Sequence, residues 1–226
     1  MRFVTLCLLT LAGCGRALTG GEEALVAELM GPTLDTGEVR MLEAGFIGLT
    51  TQTYPARPRV TCREKIAPPP RGPTVQVRTA GAVLFDHVLS APDWTLPDYL
   101  PGYPDRINLV AAMYLTHEMV HIWQWQNREI TGYHPLRGAA EHRGGADPYL
   151  FDPEDRTPFL DLGYEQQASL VEEFVCCRTL DPTGARTQRI WERLSAVMPV
   201  APPGAAPRPI AVSGLHEDTE IDGICS

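Results

Sequence analysis

The sequence predicts a fold that mixes helices with a few short strands. Four segments carry apolar side chains at helical spacing, whereas residues 74–78 alternate between polar and apolar side chains, as a strand does. The chain has 226 residues, which suits one domain, or one domain with a flexible arm. Its 21 prolines and 20 glycines predict long irregular connections between the elements.

The first predicted element is a short amphipathic helix over residues 22–30, capped by Thr19 and stopped by Gly31 and Pro32. Turn-rich residues 33–73 follow, then a strand over 74–78 and a second strand or a helix entry over 82–85. After a loop over 90–104, a long helix runs from Asp105 as N-cap to about Ile130. A loop over 131–162 separates it from helices over 163–179 and 184–198. We expect the proline-rich residues 199–209 to end the ordered packing and residues 210–226 to form a short tail.

Composition and charge restrict the class of function. Hydrophobic residues make up 44% of the chain and charged residues 21%, which is typical of a globular protein. There are 19 basic and 28 acidic side chains, and the net charge of −9 argues against nucleic acid as the main partner. The one apolar run that approaches membrane length is at the N-terminus, and it is too short to span a bilayer.

The N-terminus has the layout of a secretory signal. Arg2 precedes an apolar stretch over residues 3–12, and small residues follow. Residues 11–14 read Leu-Ala-Gly-Cys and resemble a bacterial lipobox, which implies that residues 1–13 are a lipoprotein signal peptide and that Cys14 is lipidated. Acyl chains would hold the protein on a membrane surface. Since Gly15 and not Asp follows the cysteine, the resemblance implies the periplasmic face of the outer membrane. An ordinary signal peptide with an unrelated cysteine is the alternative.

The other four cysteines of the exported chain predict two disulfides. They are Cys62, Cys176, Cys177 and Cys225. A bond between the adjacent Cys176 and Cys177 would be strained, so each is expected to reach Cys62 or Cys225, and both pairings stay open. A cysteine metal site is the alternative, but the sequence has no C-x-x-C spacing.

The long helix contains a candidate metal-binding motif, because residues 117–121 read His-Glu-Met-Val-His. Histidines at positions i and i+4 lie on one face of a helix, so His117 and His121 can converge on one Zn²⁺. Glu118 is next to the first histidine and can act as the general base of a hydrolase. The alternative is a helix that exposes two histidines and a glutamate to solvent.

A catalytic zinc needs a third protein ligand and an open position. The metzincin extension would require glycine at position 124 and histidine at position 127, but the sequence has Gln124 and Asn127. A thermolysin-like site takes a glutamate from a later helix, and Glu165 follows His121 by 44 residues. Glu172, two turns further along the same helix face, is the second candidate. Weaker candidates are Glu173, His142, Asp147 and Asp161.

These two motifs together resemble a known family. Residues 117–124, followed by Tyr-Glu-Gln-Gln-Ala at 164–168, are similar to small bacterial gluzincin-type zinc metallopeptidases, some of which are called Vgr-related proteins because they accompany type VI secretion genes. The resemblance covers about residues 60–180. It implies an α+β fold: a minimal zincin-like domain over residues 60–199, with an active-site helix, a second ligand-bearing helix and a small mixed sheet. An arm and linker over 14–59 would precede it, and a tail over 200–226 would follow.

The resemblance also implies the function. One Zn²⁺ would be held by His117, His121 and Glu165, with Glu118 as the catalytic base that hydrolyses a peptide or protein substrate, and type VI secretion components would be partners. The sequence departs from thermolysin-like enzymes at Ser169, where they usually place an aspartate that orients a histidine. The alternative function is a catalytically silent, zinc-binding structural or adaptor lipoprotein of an envelope assembly. A metal-free binding lipoprotein is a third.

Peptide hydrolysis also needs a donor for the developing oxyanion. Tyr133, His134, His142 and Tyr164 are the candidates, and each could equally be a surface or packing residue. We expect Trp123 and Trp125 to be core residues. The Gly144–Gly145 loop could move over the cleft or be a plain connection.

Overall fold

The computed structural model describes residues 15–143, 145–204 and 210–226. The predicted signal peptide over residues 1–13 and the lipidation site Cys14 lie outside this part, as does Gly144 of the predicted flexible loop. Within the described residues no helix has both the length and the apolar character that a membrane crossing requires.

The described residues form an α+β fold, as expected. The helices are α1 (Gly20–Met30), α2 (Cys62–Ile66), α3 (Leu109–Gln126), α4 (Arg128–Thr131), α5 (Pro135–Glu141), α6 (Tyr164–Leu180) and α7 (Ala185–Ser195). The strands are β1 (Arg40–Glu43), β2 (Thr51–Pro55), β3 (Thr74–Arg78), β4 (Gly81–Leu84), β5 (His87–Ser90), β6 (Arg106–Asn108) and β7 (Ala211–Ser213).

The strands form small sheets. The mixed sheet has the order β1-β5-β4, in which β1 and β5 run parallel and β4 and β5 antiparallel. Strands β2 and β3 pair antiparallel, and β6 pairs parallel with β7. Strand β4 is therefore at an edge of the mixed sheet, and it lies against helix α3.

Helices α3 and α6 form the centre of the core. Helix α3 is buried on nearly all sides because α1, α6, β4 and β6 surround it. Its largest fully buried side chain, Trp123, packs edge-to-face on Phe159 and donates a hydrogen bond to Thr33 Oγ1. The expectation for Trp123 is thus confirmed. Trp125 is only half-buried and packs against the ring of Phe85 at the edge of the core.

The predicted start of the long helix at Asp105 is wrong. Residues 106–108 form β6 and pair with β7, so their backbone is extended, and tertiary pairing overrides the local helical pattern. Helix α3 begins at Leu109, and its N-cap is Asn108, whose side chain accepts a hydrogen bond from Ala111 N at 3.1 Å. It ends at Gln126, four residues earlier than expected.

Two segments predicted to lack regular structure contain short elements. Residues 131–162 include helix α5 and a 3₁₀ turn at Phe159–Asp161, and residues 33–73 include β1, β2 and α2. These elements are too short to produce a periodic pattern. Helix α2 did have a local signal: Thr61 and Glu64 form a capping box, as Thr19 and Glu22 do at α1.

Two disulfides join distant segments to helix α6, as predicted. Of the two pairings left open, the structure has Cys62–Cys176 and Cys177–Cys225. The first links α2 to α6, and the second links the C-terminal segment to α6. The predicted short tail over residues 210–226 is consequently held against the core, with Ile224 and Cys225 buried.

Candidate metal centre

Helices α3 and α6 bring the three predicted zinc ligands together. His117 Nε2 lies 3.1 Å from Glu165 Oε2, and His121 Nε2 lies 3.3 Å from the same oxygen. The two Nε2 atoms are 3.2 Å apart. All three residues are buried, with exposed fractions of 7%, 5% and 6% for His117, His121 and Glu165.

This donor set fits a divalent metal ion. Bonds of about 2.0–2.1 Å in a tetrahedron hold the donor atoms about 3.3–3.4 Å apart, close to the distances found here. Two imidazoles and one carboxylate are a ligand set suited to Zn²⁺. Since His117, His121 and Glu165 all line one open cleft, a fourth position would face that cleft. The residues present can therefore hold a zinc ion with one position left open.

The ring nitrogen of His121 that faces away from the other ligands has its own partner. Gln124 Oε1 accepts a hydrogen bond from His121 Nδ1 at 2.9 Å, while Gln124 Nε2 donates to Gln167 Oε1 and to Tyr164 O. With the proton on Nδ1, the lone pair of Nε2 is available to a metal. Gln124 thus orients a ligand.

Glu172 lies beside Nδ1 of His117, as Gln124 lies beside Nδ1 of His121. Its Oε1 lies 2.8 Å from His117 Nδ1, a close contact that is off the axis of an ideal hydrogen bond. Because Nδ1 faces away from the three donor atoms, the alternative prediction of Glu172 as third ligand does not fit this geometry. Ser169 does not orient a histidine either, since its buried hydroxyl has no hydrogen-bond partner among the described residues.

Glu165 is positioned by groups from helix α5 and its C-terminal end. The two carboxylate oxygens of Glu141 accept hydrogen bonds from Tyr164 N at 2.8 Å and Glu165 N at 3.0 Å, which caps the first turn of α6. His142 Nε2 donates to Glu165 Oε1 at 2.9 Å. The sequence made His142 a candidate ligand and oxyanion donor. In the structure it contacts Oε1 of Glu165, whereas His117 and His121 contact Oε2.

The electrostatics of the cluster favour a cation. Burial alone would lower the pKa of His117, but Glu172 and Glu165 outweigh it and raise that pKa well above its ordinary value. The pKa of His121 is also raised, against the effect of burial, mainly by Glu165. Burial would raise the pKa of Glu165, yet His121 and the hydrogen bonds to the histidines hold it well below its usual range.

Glu118 lies next to these ligands and beneath strand β4. It is buried, and burial raises the pKa of its carboxyl group, with Glu165 and Glu172 acting in the same direction and His117 and His121 opposing. A raised pKa suits a carboxylate that must take up a proton and release it again near neutral pH.

The centre lines a large cleft of about 1050 Å³. Two tyrosines line it beside the histidines: the Tyr133 ring stacks on His121 with centroids 6.0 Å apart, and the Tyr149 ring is 5.7 Å from His117. Burial raises the pKa of both hydroxyl groups, so they stay protonated and able to donate. Tyr149 was not a candidate by sequence because it lies in a loop without a motif.

The remaining candidates have other partners. The Tyr164 hydroxyl donates to Gly132 O, and His134 Nδ1 accepts from Leu136 N, so neither side chain is aimed at the ligands. Asp147 forms a two-point ion pair with Arg57. Glu173 accepts from Cys62 N and pairs with Arg186. Asp161 is the last residue of a 3₁₀ turn.

The sulfur atoms of Cys62, Cys177 and Cys225 also lie within 4.8 Å of one another. All three belong to disulfides, and a metal requires the free thiolate. This group is therefore a structural cluster in the oxidised protein.

Comparisons with known proteins give a fold likeness. No family model matches the chain, and no curated protein matches it. Among solved structures the chain is similar to the effector domain of Pseudomonas aeruginosa VgrG2b, with 19% sequence identity and a TM-score of 0.49 over 83% of this chain and 86% of that chain.

Proposed function

We propose that the chain is a zinc-dependent peptide hydrolase. One observation carries the proposal: three buried donor atoms, on His117, His121 and Glu165, lie within 3.1–3.3 Å of one another, with Glu118 beside them in an open cleft. A purely structural zinc site is normally closed by a fourth protein ligand. Among the described residues, no fourth His, Cys, Asp or Glu joins this group.

The roles of the side chains follow from their positions. When bound, Zn²⁺ would supply Lewis-acid polarisation of a carbonyl group and would make a water molecule more acidic. The Glu118 carboxylate would accept the proton of the attacking water and pass it to the leaving amine. Tyr133 or Tyr149 would donate a hydrogen bond to the carbonyl oxygen as negative charge develops on it.

The cleft suits an extended peptide. Its volume of about 1050 Å³ exceeds that of most small-molecule pockets. Strand β4 lines the cleft and, among the described strands, is at the edge of its sheet, so a substrate strand can pair with its outer backbone groups. Bound in this way, a peptide would run across Glu118, which lies under Gly81.

The test is peptide cleavage by the wild type and by Glu118→Gln, with zinc content measured in both. We expect the variant to keep its zinc and lose cleavage, because the amide cannot take up the proton. If the variant cleaves as fast as the wild type, Glu118 is not the base. If the wild type binds zinc but cleaves none of a diverse peptide library, the alternative of a silent structural or adaptor protein replaces the hydrolase.

We further propose that the protein works at the bacterial envelope as a lipoprotein. The lipobox-like residues 11–14 and two disulfides support this location, because disulfides persist in oxidising compartments. Labelled fatty acid should be incorporated into the wild type and not into Cys14→Ser, which should leave the membrane fraction. Partnership with type VI secretion components stays a prediction, to be tested by co-purification from the native cell.

A further inference from the structure

We propose that Glu172 and Arg63 form a relay that positions His117 for metal binding, and that the Cys62–Cys176 disulfide keeps Arg63 in this relay. The inference rests on the proposed metal centre and adds positioning residues to it. It also makes zinc binding depend on the oxidation state of one of the two disulfides.

The two oxygens of Glu172 serve different partners. Oε1 lies 2.8 Å from His117 Nδ1, and Oε2 accepts a hydrogen bond from Arg63 Nη1 at 2.6 Å. Glu172 is only 8% exposed, so water cannot replace either partner at low cost. An imidazole held at Nδ1 keeps its Nε2 directed at the metal, and partners of this kind commonly raise metal affinity.

Arg63 is needed because the centre is crowded with negative charge. Glu118, Glu165 and Glu172 are all buried within the same region. Without a cation, the Glu172 carboxylate would be an incompletely paired buried charge, which is strongly unfavourable. Arg63 provides that cation from outside helices α3 and α6.

Helix α2, which carries Arg63, depends on its links to α6. It has five residues, far fewer than an isolated helix needs for stability. Cys62, next to Arg63, is bonded to Cys176, and its backbone N donates to Glu173 Oε2 at 2.8 Å. Since Cys176 follows Glu172 by one helical turn, the disulfide and the Arg63–Glu172 pair join the same two segments on one face of α6.

The first arm of the test measures zinc dissociation constants by chelator competition for Glu172→Ala, Arg63→Met and Arg63→Lys. Loss of an outer partner typically weakens metal affinity about 10- to 100-fold, which we expect for the first two variants. Arg63→Lys keeps the charge and should recover part of the affinity. The visible spectrum of bound Co²⁺ should also change in Glu172→Ala, whereas a merely structural role would leave it unaltered.

The second arm uses the two disulfides as a matched pair. Cys176 and Cys177 are adjacent on α6, but only Cys176 is joined by a disulfide to the helix that carries Arg63. We expect Cys62→Ser/Cys176→Ser to weaken zinc binding about as much as Arg63→Met. The control, Cys177→Ser/Cys225→Ser, should keep the wild-type zinc affinity. Circular dichroism of each metal-free variant shows whether it is folded.

The outcomes separate the relay from the metal centre. Wild-type affinity and Co²⁺ spectrum in Glu172→Ala, with zinc lost in Glu165→Ala, would overturn the relay and leave the proposed function standing. Equal effects of the two disulfide pairs would overturn the part played by Cys62–Cys176. If the double variant does not fold, comparison of Arg63→Met with Arg63→Lys still decides whether Arg63 acts on the metal. A wild type without zinc affinity would overturn both proposals.

Discussion

Gly81 approaches Glu118 so closely that no side chain fits between them. A Cβ atom at position 81 would lie 2.6 Å from Glu118 Oε1 and 2.5 Å from the Tyr114 hydroxyl oxygen. Carbon and oxygen atoms that are not bonded need more than 3 Å, so only glycine lets the edge strand β4 descend onto the helix that carries the motif. Strand and carboxylate thereby line the same cleft.

The first prediction follows from this contact. Gly81→Ala would displace the Glu118 carboxylate or the Tyr114 hydroxyl by several tenths of an ångström. Because misplaced catalytic groups are costly, we expect peptide cleavage to fall by roughly 10- to 100-fold. Zinc content should stay at the wild-type level, since the three atoms nearest to the added Cβ belong to Tyr114 and Glu118 and not to a ligand.

Gly20→Ala is the matched control for this prediction. A Cβ atom there meets no other atom within 4 Å. Gly20 is in the first turn of α1, far along the chain from the residues that line the cleft. It should cleave peptides as the wild type does. Equal activity in the two variants would show that the fit between β4 and Glu118 is irrelevant to turnover.

The second prediction concerns Tyr149. Its ring lies between His117 and His142, with centroid distances of 5.7 and 5.5 Å, and burial keeps its hydroxyl protonated by raising the pKa. If this hydroxyl donates to the oxyanion, Tyr149→Phe should reduce kcat by about 10²- to 10³-fold with little change in KM.

Tyr133→Phe and Tyr164→Phe complete the Tyr149 experiment. Tyr133 is the other tyrosine beside the ligands, so a large loss in Tyr133→Phe with none in Tyr149→Phe would move the donor role to Tyr133. The hydroxyl of Tyr164 donates to Gly132 O, and its loss should leave kcat nearly unchanged. Unaltered kcat in both Tyr133→Phe and Tyr149→Phe would remove these two hydroxyl groups from the mechanism.

The third prediction concerns the cap of helix α6. Glu141→Ala removes the acceptors of Tyr164 N and Glu165 N, and loss of a helix cap costs about 0.5–2 kcal/mol of unfolding free energy. Because Glu165 is in the uncapped turn, zinc affinity should fall as well. Chemical denaturation and chelator competition measure the two effects. Glu220→Ala, which removes an exposed carboxylate, should change neither.

Local sequence patterns predicted the parts of the site that depend on which face of a helix a residue occupies. The i, i+4 spacing of His117 and His121 and the place of Glu165 in the first turn of a second helix predicted that these three residues meet, with Glu172 kept as the second candidate for the third ligand. The predicted cap at Thr19 is likewise the N-cap of α1 in the structure. In each case the information lies within a few residues of the chain.

The features that the sequence did not predict depend on contacts between distant segments. Whether Glu172 meets Nδ1 or Nε2 of His117 depends on how α6 is rotated against α3. The cap by Glu141 joins residues 23 positions apart, and helix α3 starts at Leu109 because the distant strand β7 holds residues 106–108 extended. Choosing between the two disulfide pairings required the same long-range geometry.

The fourth prediction is that zinc stabilises the folded chain through Glu165. A ligand that binds only the folded state adds RT ln(1 + [L]/Kd), which is about 2.7 kcal/mol at a free concentration 100 times Kd. Thermal unfolding with buffered zinc and with chelator should therefore differ for the wild type and much less for Glu165→Ala, which leaves two ligands. Glu23→Ala, in the first turn of α1, should keep the full difference. A zinc-dependent shift of the same size in Glu165→Ala would mean that the ion is bound elsewhere, because the buried His117, His121 and Glu165 cannot be a three-ligand centre if one of them is dispensable.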